Sequence, residues 1–115
     1  MKSSMPYKQW DIILVPFPFT DLSAFKRRPA LVVSPNEYNQ GVDMVIAFIT
    51  SKMDVMTSPG DCPIRDWEKA NLPKPSLIRR KFATIDQTIV VKKLGRLADR
   101  DIACFREMLS YFFLS

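Results

Sequence analysis

Histidine is absent from all 115 residues of this chain. Its absence excludes Ser-His-Asp and Cys-His nucleophiles, histidine-ligated metals and histidine-based acid–base ribonuclease chemistry. Any catalytic group must therefore come from Arg, Lys, Thr, Ser, Asp, Glu or Tyr. Cysteine is also scarce: Cys62 and Cys104 stand far apart in the sequence and cannot complete a four-ligand zinc site without histidine. We predict that both thiols are reduced and structural, and that the protein uses neither a metal nor a cofactor.

Long apolar runs are missing as well. No segment approaches the roughly 20 residues of a membrane-spanning helix. Residues 1–7 are polar and lack the apolar core of a secretory signal. We therefore predict a cytoplasmic protein without membrane contact, and the length indicates a single domain over residues 1–115.

Positive charge is in excess. Seventeen Lys and Arg residues against twelve Asp and Glu give a net charge of +5 and a pI near 9.4. This balance favours an anionic partner such as nucleic acid, although many basic domains bind none.

Short β-branched and apolar runs bounded by turn residues dominate the first 95 positions, which is typical of strands. The continuous apolar run at 30–33 predicts a strand buried on both faces. Residues 20–26 and 51–60 are predicted loops, and residues 67–71 are predicted to form about one helical turn. The predicted strands cover residues 12–15, 30–33, 42–49, 61–65, 77–85 and 88–94.

The hydrophobic period changes near the C-terminus. Ile102, Phe105, Leu109 and Phe112 recur at spacings of three and four, which predicts an amphipathic helix over residues 99–113. We expect this stripe to face the core or a second subunit. Several short strands and one terminal helix predict a mostly β (α+β) fold, a small and strongly bent barrel-like domain.

Two polar groups border strand ends in the first half of the chain. Arg28 stands next to Pro29, and Thr50 with Ser51 closes the third apolar run. A guanidinium and a hydroxyl pair held at strand ends can bind a phosphate. The alternatives are a surface cation before a proline and ordinary turn hydroxyls.

Five motifs follow one another in a familiar order and spacing: D-I-I-L-V-P-F-P-F-T-D, R-R-P-A-L-V-V-S, A-F-I-T-S, T-I-D-Q and K-K-L-G-R-L. Together they resemble the PemK/MazF toxins of type II toxin–antitoxin systems, and the resemblance covers nearly the whole chain from Trp10 onward. It implies an SH3-like barrel of the CcdB/PemK type with a C-terminal helix, and a homodimer.

The same resemblance implies a function. It implies a sequence-selective, metal-independent endoribonuclease that cleaves single-stranded RNA to 2′,3′-cyclic phosphate and 5′-hydroxyl ends. A cognate acidic antitoxin would neutralise it, and the pair would bind DNA. Other readings are a catalytically inactive or gyrase-inhibiting toxin on the same barrel, a DNA-binding autorepressor subunit, and a structural interaction domain.

The resemblance also implies site residues, with Arg28 and Thr50 as the catalytic pair. Arg27 is the alternative to Arg28, but neighbouring residues of an extended strand point to opposite faces, so only one should reach the site. We favour Arg28. Of Phe17 and Phe19, one should lie in the core and the other should be exposed enough to stack a base, and we favour Phe19 for stacking. The other predicted substrate-binding residues are Thr20 for base edges, Ser51 for the phosphate, and Lys81. Lys81 departs from the neutral polar residue of many relatives and would add a nonspecific phosphate contact.

Overall fold

Six β-strands and one α-helix are found in the described part of the chain. The structure, a computed structural model, describes residues 7–17, 26–51 and 61–114. Short 3₁₀ turns lie at Tyr38–Gln40 and Gln87–Ile89. The strands are β1 (Asp11–Pro16), β2 (Arg27–Val32), β3 (Asp43–Thr50), β4 (Cys62–Pro63), β5 (Leu77–Asp86) and β6 (Lys92–Arg96), and the helix is α1 (Asp99–Leu114).

All six strands join one antiparallel sheet in the order β4-β5-β3-β2-β1-β6. The sheet curls into a half-barrel and the helix follows at the C-terminus, so the predicted mostly β fold with a terminal helix is confirmed. In the described residues no helix has the length and apolarity needed to cross a membrane.

Each face of the sheet carries its own apolar core, because side chains alternate along a strand. The face that we call the helix face packs against Ile102 and Phe105 of α1 and includes Ile12, Leu31, Ala47, Ile49 and Ile78. The opposite face, called the second face, includes Ile13, Val15, Ala30, Val32, Met44, Ile46 and Ile85, with Tyr7, Ile89 and Val90 packed against it. Leu31 and Val32 are each 0% exposed, on opposite faces, which confirms that β2 is buried on both sides.

The predicted strand over residues 88–94 was wrong in its first half. The carboxylate of Asp86 accepts hydrogen bonds from both the backbone N–H and the hydroxyl of Thr88, at 2.8 Å each. These bonds lower the pKa of Asp86 below its usual value, the backbone bond contributing most. They close a 3₁₀ turn, and β6 begins only at Lys92. Ile89 and Val90 pack on the second face instead of pairing in the sheet.

The predicted strand over residues 61–65 shrinks to Cys62–Pro63. The buried carboxylate of Asp101 accepts hydrogen bonds from the backbone N–H groups of Arg65 and Asp66, both at 2.9 Å, and so turns the chain away from the sheet. One helix-like turn follows, in which the N–H of Ala70 donates to the backbone carbonyl of Asp66, as expected for residues 67–71. Asn71 ends this turn in the left-handed region, with φ of 68°.

Candidate functional site

A groove opens at one end of β1, β2, β3 and β5, where the apolar side chains that cover the second face end. It has a volume of about 210 Å³ and is lined by Val15, Phe17, Arg28, Pro29, Ala30, Ile46, Phe48, Ile49, Thr50, Arg79 and Lys81. A second cavity of about 170 Å³ continues it and is lined by Arg28, Pro29, Ile49, Thr50, Ser51, Pro73, Lys74 and Ser76. Arg28 and Thr50 line both cavities, so the two residues stand at their junction.

The alternation of β2 decides which arginine reaches the groove. Ala30 and Val32 belong to the second face, and Arg28 lies two residues before Ala30 on the same side. Arg27 shares its side with Leu31, which packs on the helix face, and lines neither cavity. The structure therefore brings Arg28, and not Arg27, to the site.

Thr50 reaches the groove by the same rule. It is the last residue of β3 and follows Ile46 and Phe48 at steps of two on the second face. Thr50 is paired with Leu77 inside the strand and ends β3 as the sequence indicated, so the alternative of an ordinary turn hydroxyl does not hold for it. Ser51 is exposed and lines only the second cavity.

Two aromatic rings form the wall beside Arg28. The rings of Phe17 and Phe48 lie edge to face with centroids 6.0 Å apart. The guanidinium carbon of Arg28 lies 5.7 Å from the centroid of Phe17, within the range of a cation–π contact. The sequence assigned Phe17 to the core in favour of Phe19 and gave no sign of Phe48, although the period of two from Ile13 and Val15 leads directly to Phe17. Phe19 and Thr20, the predicted base-binding residues, lie outside the described residues.

A β-bulge supplies further cations. Ala47 pairs with Phe82 and Ile49 with Ile78, so three residues of β5 stand opposite Phe48 alone. Two of the three, Arg79 and Lys81, point into the groove. The third, Arg80, lies on the helix face, where its guanidinium carbon is 5.5 Å from the ring of Phe112.

Arg79 was not predicted as a site residue. Its Nε lies 3.9 Å from the Oδ2 of Asp61, a carboxylate whose side chain is 2% exposed. Its Nε is buried and makes no hydrogen bond within the described residues. A bulge of this kind has no clear signal in a single sequence. The basic run at residues 79–81 was the only feature of the sequence that related to this bulge.

The electrostatics of the two cavities have one sign. Among the described residues that line them, the ionisable side chains are Arg28, Lys74, Arg79 and Lys81, and all carry positive charge. The described ranges contain no group of three or more Cys, Asp or Glu placed to hold a metal ion. Chemically, this arrangement can bind a phosphodiester through a fixed guanidinium, orient it with hydroxyls and stack a base on an aromatic wall.

Comparison with known families gives one match over almost the whole chain. The sequence model of the PemK-like, MazF-like toxins of type II toxin–antitoxin systems matches residues 8–113. No curated protein sequence matches significantly.

Solved structures share the fold at low sequence identity. A mycobacterial endoribonuclease in complex with its cognate antitoxin superposes with a TM-score of 0.74 at 17% identity, over 95% of this chain and 97% of that one. A MazE-MazF structure from Deinococcus radiodurans gives 0.73 at 19%, covering 96% and 98%. The Mycobacterium tuberculosis toxin MazF-mt6 gives 0.69 at 19%, covering 90% and 95%. At these identities the likeness shows the fold.

Proposed function

This chain belongs to the PemK-like, MazF-like toxins of type II toxin–antitoxin systems, and from that membership we propose that it is a single-domain endoribonuclease. Its substrate is single-stranded RNA, such as mRNA, which it cleaves sequence-selectively and without a metal. The observation that carries the proposal is the shared position of Arg28 and Thr50 at the junction of two cavities with cationic lining.

The chemistry needs no histidine, because RNA brings its own nucleophile. The 2′-hydroxyl attacks the adjacent phosphorus, and the protein has to hold the two groups in line and stabilise the extra negative charge of the phosphorane. A 2′,3′-cyclic phosphate and a 5′-hydroxyl end are the products of that attack.

Arg28 supplies the charge stabilisation. Its guanidinium is planar, permanently charged and able to donate two parallel hydrogen bonds to the non-bridging oxygens. The contact with the Phe17 ring restricts the orientation of that plane. We assign Arg28 an electrostatic role, because the intrinsic pKa of an arginine is too high for ready proton transfer at neutral pH.

The hydroxyl groups position the substrate. Thr50 borders the same cavities as Arg28 and can hydrogen-bond the scissile phosphate or the 2′-hydroxyl. Ser51, in the second cavity only, is suited to the next phosphate along the strand. Lys81, Arg79 and Lys74 add phosphate contacts that carry no base information.

Selection for single strands follows from the aromatic wall. Unstacked bases can lie on phenylalanine rings, whereas a duplex keeps its bases stacked. Phe17 and Phe48 are the described rings in this position, and Phe19 and Thr20 extend the proposal toward base selection.

We propose partners on the same basis. An acidic antitoxin, partly disordered until it binds, would cover the cationic groove and exclude RNA, and the pair would bind DNA in the cytoplasm. The mycobacterial and Deinococcus relatives were solved together with their antitoxins. A homodimer is proposed through the C-terminal end of α1, where Tyr111, Phe112, Phe113 and Leu114 are exposed.

The decisive experiment compares two neighbouring arginines. Purified protein is incubated with labelled single-stranded RNA in EDTA, and cleavage rates are measured for wild type, Arg28→Ala and Arg27→Ala. We expect Arg28→Ala to lose at least about 100-fold in rate, as for removal of a transition-state anion donor. Arg27→Ala, which removes the same charge from the other side of β2, should stay close to wild type.

Two results would count against the proposal. One is intact RNA at wild-type excess across varied sequences. The other is equal loss in the two variants, which would mean that net charge matters and the Arg28 position does not. Growth arrest that survives Arg28→Ala would direct attention to a target other than RNA.

A further inference from the structure

The two cysteines of this chain meet in the fold. Cys62 and Cys104 are 42 positions apart in sequence, yet their Sγ atoms lie 3.2 Å apart at the contact between β4 and α1. Both are free thiols in the structure, and one donates a hydrogen bond to the other. Their separation in sequence gave no sign of this contact.

The pair is asymmetric. Cys62 is 1% exposed in the core of the helix face, whereas Cys104 is exposed on α1. Burial, then the hydrogen bond with Cys104, and then electrostatic interaction with Cys104 and Asp101 raise the pKa of Cys62 to about 12. Cys62 is therefore a protonated thiol at neutral pH, and an oxidant in solution can reach only Cys104 directly.

We propose that Cys62 and Cys104 form a peroxide-sensitive dithiol that closes reversibly into a disulfide between β4 and α1. The proposal is independent of the ribonuclease function, because neither sulfur lines the groove. The geometric basis is one exposed sulfur in contact with one buried sulfur, which is the arrangement of an attacked and a resolving thiol.

The reaction balances in two steps, with hydrogen peroxide as the oxidant. The Cys104 thiol loses its proton, and the thiolate attacks one peroxide oxygen. The O–O bond breaks, Cys104 becomes a sulfenic acid, and the departing hydroxide takes up that proton and leaves as one water. The sulfur of Cys62 then attacks the sulfenic sulfur and the S–O bond breaks. The departing hydroxide takes the Cys62 proton as a second water. Two thiols have lost two electrons and two protons, and one peroxide has become two waters.

The bond would join a weakly attached edge to the rest of the fold. β4 is only two residues long and pairs with β5 at the edge of the sheet. A crosslink between residues 62 and 104 restricts the unfolded chain over a long loop, and this should raise the melting temperature by on the order of 10 °C. A reductant should reverse the rise.

The test uses the full-length wild-type protein treated with stoichiometric hydrogen peroxide. After alkylation of remaining thiols, intact mass should show a monomer that has lost two hydrogens and gained no alkyl group. The melting temperature should rise, and dithiothreitol should restore both readings. Cys62→Ala should accumulate a sulfenic acid at Cys104, trapped by dimedone. In Cys104→Ser, the remaining Cys62 should react with neither hydrogen peroxide nor dimedone.

Three outcomes would overturn the proposal. They are two alkylatable thiols after peroxide treatment, a disulfide only between separate chains on a non-reducing gel, and sulfonic acid at Cys104 with Cys62 still reduced. The main measurement is made on the wild-type protein, so it stays decisive even if either variant folds poorly.

Discussion

A single step along β2 separates the groove from the helix face of the sheet. Arg28 lies on one side and Arg27 on the other. The register between β1 and β2, in which Val15 pairs with Arg28, fixes which arginine faces the groove. Because the side-chain period of a strand is two, a slip of one residue would exchange the two guanidiniums. Catalytic geometry at this site therefore depends on the register between β1 and β2.

Arg79 offers a second test at the level of single residues. We expect Arg79→Gln to weaken binding of single-stranded RNA several-fold and to reduce the slope of log K against log salt by about 0.7, the value for one lost phosphate contact. Filter binding or fluorescence anisotropy over a range of salt concentrations measures both.

The matched control for Arg79 is its neighbour in the same bulge. Arg80→Gln removes an equal charge from the helix face, where Arg80 stacks on Phe112. It should leave the salt slope unchanged. Equal slopes for wild type and Arg79→Gln would show that Arg79 does not touch RNA.

At the scale of elements, one buried carboxylate joins α1 to the turn after β4. Asp101 is 1% exposed and accepts two backbone hydrogen bonds from residues 65 and 66. Beside it, Arg100 donates two hydrogen bonds to the carboxylate of Asp66, at 2.6 and 2.7 Å, and lowers the pKa of Asp66. The first turn of the helix therefore holds the segment after the sheet edge.

Removing the Asp101 carboxylate should lower the stability of the fold. Asp101→Ala leaves two backbone N–H groups without their charged acceptor, and we expect a loss of about 3 kcal/mol in the free energy of unfolding. Urea denaturation followed by circular dichroism measures it. Asp99→Ala, in the same helical turn but without such contacts among those described, should change stability by less than about 0.5 kcal/mol. Similar losses in both variants would contradict the assigned role of Asp101.

The elements differ in how far the sequence predicts them. Short apolar runs bounded by turn residues and the i, i+3, i+4 stripe were enough for β1, β2, β3 and α1, because each of these elements packs on a core face. The turn at Gln87–Ile89 was missed because the local Asp86–Thr88 hydrogen bonds outweighed the β propensity of Ile89 and Val90. The bulge in β5 and the Cys62–Cys104 contact depend on which strands become neighbours, and that is tertiary information.

The candidate site divides in the same way. Motif order and strand alternation led to Arg28 and Thr50, which the structure brings together, and their catalytic roles remain a prediction. Arg79 and Phe48 were missed, and Phe17 was assigned to the core, because the exposure of these side chains depends on where the second face opens.

At the scale of the whole molecule, the C-terminal half of α1 leaves apolar surface uncovered. Phe113 is 60% exposed and Leu114 is 81% exposed. Beside them lies an apolar cavity of about 580 Å³ lined by Val33, Ser34, Pro35, Tyr38, Val45, Phe82, Leu109 and Phe113. Such a surface is typical of a protein–protein interface.

We therefore predict a homodimer whose interface includes this surface. Sedimentation equilibrium of wild type should give twice the chain mass of 13.3 kDa. Phe113→Asp should shift the protein to monomer, whereas Glu107→Lys, a charge change elsewhere on α1, should not. A wild-type monomer at micromolar concentration, or an unchanged dimer in Phe113→Asp, would refute the assignment.

The double burial of β2 has a consequence for motion. β2 is paired on both edges, by β1 and β3, and covered on both faces. Deuterium should enter the amides of Leu31 and Val32 last of all, when the entire chain opens. Arg28 lies three residues before this slowest-exchanging stretch. Its anion-binding guanidinium is therefore anchored to the most persistent part of the molecule. The guanidinium should keep its place through every partial opening that leaves β2 intact.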